Sequence, residues 1–212
     1  MAEDKVVLVG ADGSPESLGA VDWAVARAAR SGWRVHILCA YSLPSFTTAS
    51  LDGGYAALDD TAIRSGAQAV VDEAVTRAQG KGVTVTSSLE TGDPAGVLVD
   101  LSDEATLAVV GTRGGGGFAD RLLGTVSSAL PAHAHCPTVV VPRHVEGAEY
   151  TPVGRIVVGV DGSDSARKAL RWAVREAEVW GAELTAIAAV PMASGAGALA
   201  WLPAAVDREQ VL

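Results

Sequence analysis

The strongest constraint on this chain is a rhythm of short apolar runs alternating with segments of helical periodicity. The runs are Lys5 to Gly10, Val35 to Ala40, a weaker one marked by Val83, Val85 and Leu89, then Leu107 to Val110, and Thr138 to Val141. A short run that is apolar on both faces suits a parallel strand covered on both sides. Between the first two, Ser14-Pro15 reads as a helix cap followed by proline at the first helical position. Leu18, Val21, Val25 and Ala28 follow at helical spacing, and Gly32 suits the stop. Residues 42–58 read as a loop rich in Ser, Thr and Gly, and a second helix is expected from Thr61 to Gln79. Asp93-Pro94 repeats the cap-and-proline signal and opens a third helix through Leu98 and Leu101, and a fourth is expected from Thr125 to Ala132. Strands joined by helices imply right-handed crossovers and a doubly wound, Rossmann-like α/β sheet. The expected strand order is 3-2-1-4-5, which sets Asp12 after the first strand beside the glycine-rich stretch after the fourth. Ligands of such sheets bind beyond the carboxyl ends of the strands, at this switch point.

The chain then begins again. Residues 156–190 repeat residues 7–41 without a gap, so that Asp12-Gly13-Ser14 returns as Asp161-Gly162-Ser163, Trp23-Ala24-Val25 as Trp172-Ala173-Val174, and Gly32 as Gly181. A tandem duplication explains this. The expected organisation is a complete domain over residues 1–145, a linker over 146–154 with Gly147, Pro152 and Gly154, and a partial copy over 155–212. That copy contains strand, helix and strand but no counterpart of the glycine-rich loop, so it is expected to lack a complete site. One such unit buries little apolar surface. It is expected to pack against the first domain or a second chain, or to be poorly ordered.

Composition narrows the function. The net charge is −9 with no block of Lys or Arg, which disfavours nucleic acid as a partner. A backbone nest can still bind a small anion. Apolar runs are too short for a membrane helix, and the first residues show no basic-then-apolar signal pattern, so a cytoplasmic location is expected. Cys39 and Cys136 sit in apolar segments, where a free thiol packs as a small hydrophobe. His133, His135 and Cys136 have ligand-like spacing but lack a third convergent group, and no protein metal site is expected. His36 and His144 carry no signal, and Trp23 and Trp172 read as packing residues.

The chemistry concentrates in Gly111 to Ser127. Glycines let backbone approach a phosphate closely, and the helix that follows presents free N–H groups and a positive dipole end. Thr125 and Ser127 lie in its first turn, and Arg113 can add a charged contact. No Lys-Ser or Lys-Thr follows the glycines, so this is not a Walker loop; nor does it follow the first strand, as a dinucleotide fingerprint would. By composition alone it could be an unliganded loop, and Asp12 only a turn residue.

Gly111-x2-Gly114-x9-Gly124-Thr125, the early Asp12-Gly13-Ser14 and the late His133-Ala134-His135-Cys136-Pro137-Thr138-Val139-Val140-Val141 together resemble the universal stress protein family, in its ATP-binding subgroup. The resemblance covers residues 5–142 and, in part, 155–205, and the tandem copies are similar to actinobacterial-type members. It implies that Asp12 lies beside the ribose, that Gly10 and Ala11 supply backbone around the nucleoside, and that the backbone of Cys39 reads the adenine edge. It further implies that Val110, Gly111, Arg113 and Gly114 line the ribose and phosphates. Gly124, Thr125, Val126 and Ser127 then hold the phosphates, with Mg²⁺ accompanying ATP. A homodimer through the fifth strand, Val139 to Val141, is also implied. With Asp12 assigned to binding, no residue stands out to activate a nucleophile, so the leading expectation is a nucleotide-dependent stress-response regulator without catalytic residues. The alternatives are a slow ATPase or phosphotransferase and a nucleotide-free dimerisation module.

Overall fold

The computed structural model describes residues 5–42, 60–114, 123–143 and 150–189. Most of the expected loop over 42–58, the loop residues 115–122, His144, Gly147 and the stretch beyond residue 189 lie outside these. The chain divides into two compact units that meet between Val153 and Gly154.

The first unit runs β1 (Val6–Gly10), α1 (Pro15–Ser31), β2 (Arg34–Tyr41), α2 (Asp60–Ala78), β3 (Val85–Thr91), α3 (Pro94–Leu101), β4 (Leu107–Gly111), α4 (Thr125–His133) and β5 (Thr138–Val141). All neighbouring strands are parallel, as the alternation predicts, and they stand in the expected order β3-β2-β1-β4-β5. The punctuation acts as its chemistry dictates. Ser14 Oγ accepts from the Ser17 N–H at the start of α1, and Gly32 closes that helix at φ 66°, where a side chain is disfavoured. Asp93 Oδ2 accepts from the Gly96 N–H at 2.9 Å to cap α3. The third strand begins later than Val83 suggested: Val83 lies in the bend that precedes it.

Alternation along the strands sorts the core into two faces. Leu8, Leu38, Ala108 and Val110 pack with Leu98 of α3 and Leu130 of α4. Cys39 faces the other way and packs with Ala67 and Val71 of α2. All four connecting segments begin their helices at the carboxyl edge of the sheet, which gathers the helix N-termini at one end.

On the surface, Asp22 of α1 binds α2 through Arg77 Nη2 at 2.6 Å and Lys81 Nζ, just beyond that helix, at 3.0 Å. Partial burial pushes its carboxyl up, but the hydrogen bonds and charges of Arg77 and Lys81 outweigh this and hold it below the usual aspartate value. The contribution is therefore present above the unfolded pKa and lost as pH falls through the lower folded one. Because all three groups are partly exposed, Asp22→Asn is expected to cost only about 0.5–1 kcal/mol at neutral pH. The difference from the parent in urea titrations should shrink below about pH 4; an undiminished difference there would contradict the ionic account.

The second unit, within its described residues, is β6 (Arg155–Gly159), α5 (Asp164–Trp180) and β7 (Glu183–Ile187), with β6 and β7 parallel. The repeat extends to the caps: Ser163 Oγ accepts from the Ala166 N–H at 3.1 Å, and Gly181 closes α5 at φ 67°.

Candidate functional site

A cavity of about 370 Å³ opens at the carboxyl edge of the first unit's sheet. The end of β1 contributes Gly10, Ala11 and Asp12; the end of β4 contributes Val110, Gly111, Arg113 and Gly114; the start of α4 contributes Gly124 to Ser127. Eleven of the twelve residues nominated from sequence thus line one space.

Cys39 is the exception. Its thiol is buried against Ala67 and Val71, and burial, with the charge of Asp12, pushes its pKa up. Backbone direction accounts for its absence from the lining. The Ala11 N–H donates to the Leu38 C=O at 2.8 Å on the β1 side, and the Gly92 N–H donates to the Tyr41 C=O at 2.9 Å on the β3 side. Peptide groups alternate along a strand, so those of Cys39 point to β3 and those of Ala40 point to the β1 side, past the end of β1. Leu38 and Ala40 line the cavity and Cys39 does not.

Gly111 is required by contact with backbone, and Gly114 stands tight against a side chain. A methyl at Gly111 would lie 2.7 Å from the backbone carbon and oxygen of Glu16 in α1, and one at Gly114 would overlap Asp12 Oδ2. Gly124 differs: an added Cβ would meet nothing closer than 3.5 Å. Its role is chemical, because it stands at the N-cap of α4 and has no side chain with which to cap it. Thr125, Val126 and Ser127 form the first turn, and N–H groups there have no intrahelical acceptor; the first α4 bond runs from Ser128 N–H to Gly124 C=O. By contrast, side chains cap α1 and α3. The N-terminus of α4 is therefore an anion-ready nest at the cavity.

Ser127 plays a different part from the one its hydroxyl suggests. Ser127 Oγ donates to the Thr112 C=O at 2.7 Å and accepts from the Gly124 N–H at 2.8 Å. The Gly124 N–H also donates to the Thr112 C=O at 2.8 Å. The side chain of Ser127 thus ties α4 to the end of β4, leaving its N–H for the cavity. Asp12 has two faces. Its Oδ1 accepts from Ser14 N–H at 3.0 Å and Ser14 Oγ at 2.6 Å, fixing the turn, while Oδ2 lies against Gly114. Asp161 makes the same turn with the Ser163 N–H at 2.9 Å, so the turn function of Asp-Gly-Ser holds in both copies.

Ser17, Asp93, Pro94, Ala95 and Leu98 also line the cavity and are absent from the sequence nominations. Asp93-Pro94 opens a helix just as Ser14-Pro15 does, and every such opening falls on the ligand edge of the sheet; that signal would have found them. Cys136 packs against the Leu8–Leu130 core cluster, and burial raises its thiol pKa. The neighbouring His135 N–H donates to Ser102 Oγ at 2.8 Å. Among the described residues no three His, Cys, Asp or Glu side chains gather as a metal site, and no helix is long and apolar enough to cross a membrane.

Fold and site define a doubly wound α/β protein whose switch-point cavity joins apolar strand ends to an uncapped helix N-terminus. The model of the universal stress protein family matches residues 4–142 and again 152–211. The chain belongs to the universal stress protein family. It is 33% identical over 192 residues to universal stress protein Rv2623 of Mycobacterium tuberculosis, covering 85% of this chain and 62% of that protein. It is 31% identical over 203 residues to Rv1996 of the same organism, covering 85% and 61%. The chain therefore spans less than two thirds of these relatives' length. Among solved structures, a universal stress protein in complex with cAMP is 30% identical, covering 68% of this chain and all of that one at a TM-score of 0.52. A universal stress protein from Archaeoglobus fulgidus covers 93% of this chain and 70% of its own, with TM-score 0.67 and 19% identity, a likeness of fold.

Proposed function

We propose that the first unit binds an adenine nucleotide, ATP with Mg²⁺, and acts as a nucleotide-dependent stress-response regulator rather than a catalyst. The observation that carries this reading is the single cavity in which an apolar end and an anion nest face each other. Leu38, Pro94, Ala95, Leu98 and Val110 offer a surface for a base, with the Ala40 peptide in place of Cys39 to read its edge. Thr125, Val126 and Ser127 offer N–H groups to phosphates, Gly124 leaves the approach to them open, and Arg113 is the charged neighbour. Asp12 is assigned to the ribose hydroxyls through Oδ2, and Gly10, Ala11, Gly111 and Gly114 allow the close backbone approach. Mg²⁺ would arrive with the phosphates and neutralise part of their charge. The cAMP complex of a relative supports an adenine ligand. A homodimer through β5 is part of the same proposal, supported by its place at the sheet edge with Val139 and Val140 partly exposed.

The direct test is mass spectrometry of nucleotide released from purified, denatured protein, followed by titration with a fluorescent ATP analogue. Retained adenine nucleotide and saturable binding are expected; no binding at micromolar analogue would overturn the reading. Asp12→Ala is expected to weaken binding about 10-fold or more, as loss of a charged hydrogen bond of about 1.5–3 kcal/mol implies. Phosphate release above background that Asp12→Ala abolishes would instead establish a slow ATPase.

A further inference from the structure

Asp93 lines the same cavity as Asp12 but stands across β1 from the anion nest. The Gly92 N–H donates to the Tyr41 C=O at 2.9 Å, and Ser42 Oγ donates to the Gly92 C=O at 3.0 Å. These bonds fasten the entry to α3 at the end of β2. The N-terminus of α4 is fastened instead to the end of β4, through Thr112, and β1 lies between β2 and β4. Beside Asp93 the lining is Leu38, Ala40, Pro94, Ala95 and Leu98. This carboxylate therefore belongs to the apolar end of the cavity.

One of its oxygens is committed. Oδ2 accepts from the Gly96 N–H at 2.9 Å as the cap of α3, which holds the carboxylate in place. Among the described residues Oδ1 has no partner, and Asp93 is exposed, so Oδ1 is open to a ligand. A carboxylate oxygen only accepts. It calls for a donor on the part of the ligand that lies farthest from phosphates held at α4. A base with an exocyclic amine supplies one: of its two N–H groups, the Ala40 C=O takes one and Asp93 the other. A base with a carbonyl at that position sets a second acceptor against the first and leaves both unpaired, which is costly. Resting on the adenine-nucleotide reading of this cavity, we propose that Asp93 is a specificity-determining residue, selecting aminopurine over oxopurine nucleotides through Oδ1.

The cap makes the test sharp. In Asp93→Asn the Gly96 N–H still needs an oxygen, so the amide oxygen takes the place of Oδ2 and the amide nitrogen that of Oδ1. An acceptor becomes a donor with no change of shape, and α3 keeps its cap, since Asn serves there as well as Asp. Calorimetric titration of the full-length chain, freed of retained nucleotide, with ATP and with inosine triphosphate reads the result. The two ligands differ only along the edge of the base that carries the amine or carbonyl. Wild type is expected to bind ATP about 10-fold or more tighter than inosine triphosphate, the size of a hydrogen bond to a charged group. Asp93→Asn is expected to weaken ATP and strengthen inosine triphosphate, so that the preference is lost or reversed; a merely structural change would move both alike. Asp93→Ser, which caps α3 with a shorter side chain, should erase the preference without reversing it. Equal affinities in wild type, or a ratio unchanged by Asp93→Asn, would overturn the inference while nucleotide binding stands. If wild type bound neither nucleotide, the reading of the cavity would fall, and this inference with it.

Discussion

Gly124→Glu is expected to abolish adenine-nucleotide binding while leaving the first unit folded. The position tolerates a side chain, since an added Cβ meets only ordinary contacts at 3.5 Å and beyond, and its φ of −80° is open to any residue. A carboxylate beside the N-terminus of α4 is favourable to the helix dipole. It would also occupy the nest formed by the N–H groups of Thr125, Val126 and Ser127 and repel an incoming phosphate. Loss of two charge-assisted hydrogen bonds, at about 1.5–3 kcal/mol each, corresponds to about 100-fold or more in affinity. Titration with a fluorescent nucleotide and a thermal melt on the same sample separate the effects. Retained affinity would show that the phosphates do not sit at α4. Gly124→Ala, which adds bulk without charge, should lose much less.

Gly111→Ala is expected to act on the fold instead. Its methyl would meet the Glu16 backbone at 2.7 Å, and helix backbone cannot swing aside as the end of a side chain can. Overpacking of this kind costs about 1–3 kcal/mol, which for a domain of this size lowers Tm by roughly 3–10 °C. The next residue, Thr112, accepts hydrogen bonds from both the Gly124 N–H and Ser127 Oγ, so displacement of β4 from α1 should also loosen the nest and weaken binding. Gly114→Ala provides the contrast. There the clash falls on the Asp12 carboxylate, a mobile group, so binding should fall with little change in Tm. An unchanged melt for Gly111→Ala would mean that α1 and β4 separate more readily than their packing implies.

Much of the first unit was legible because its signals are local. Ser14-Pro15, Asp93-Pro94 and Gly32 place helix ends through capping and positive φ, chemistry that needs no partner distant in the chain. The third strand was the hardest to bound, since Thr86, Ser87, Ser88 and Glu90 interrupt its apolar pattern. As an edge strand it has one neighbour and polar residues that face solvent. The strand order that sets β1 beside β4 was an expectation of its own, since order 2-1-3-4-5 alternates equally well; the structure has 3-2-1-4-5, and with it the meeting of Asp12 and Gly111.

By itself, then, the sequence determined the α/β alternation, the duplication and the loop from Gly111 to Ser127. Tertiary structure decided which groups of that loop and of the strands face the cavity. Side-chain alternation is written in residue types, but peptide direction is not, and only the β1–β2 ladder ending at Ala11 and Leu38 turns Ala40 rather than Cys39 toward the ligand edge. Likewise the spacing put Ser127 in the first turn of a helix, yet only the approach of Thr112 fixed its hydroxyl as a tie between α4 and β4. In the proposed site it is therefore the N–H groups of Thr125 to Ser127, rather than the Ser127 hydroxyl, that are left to meet an anion.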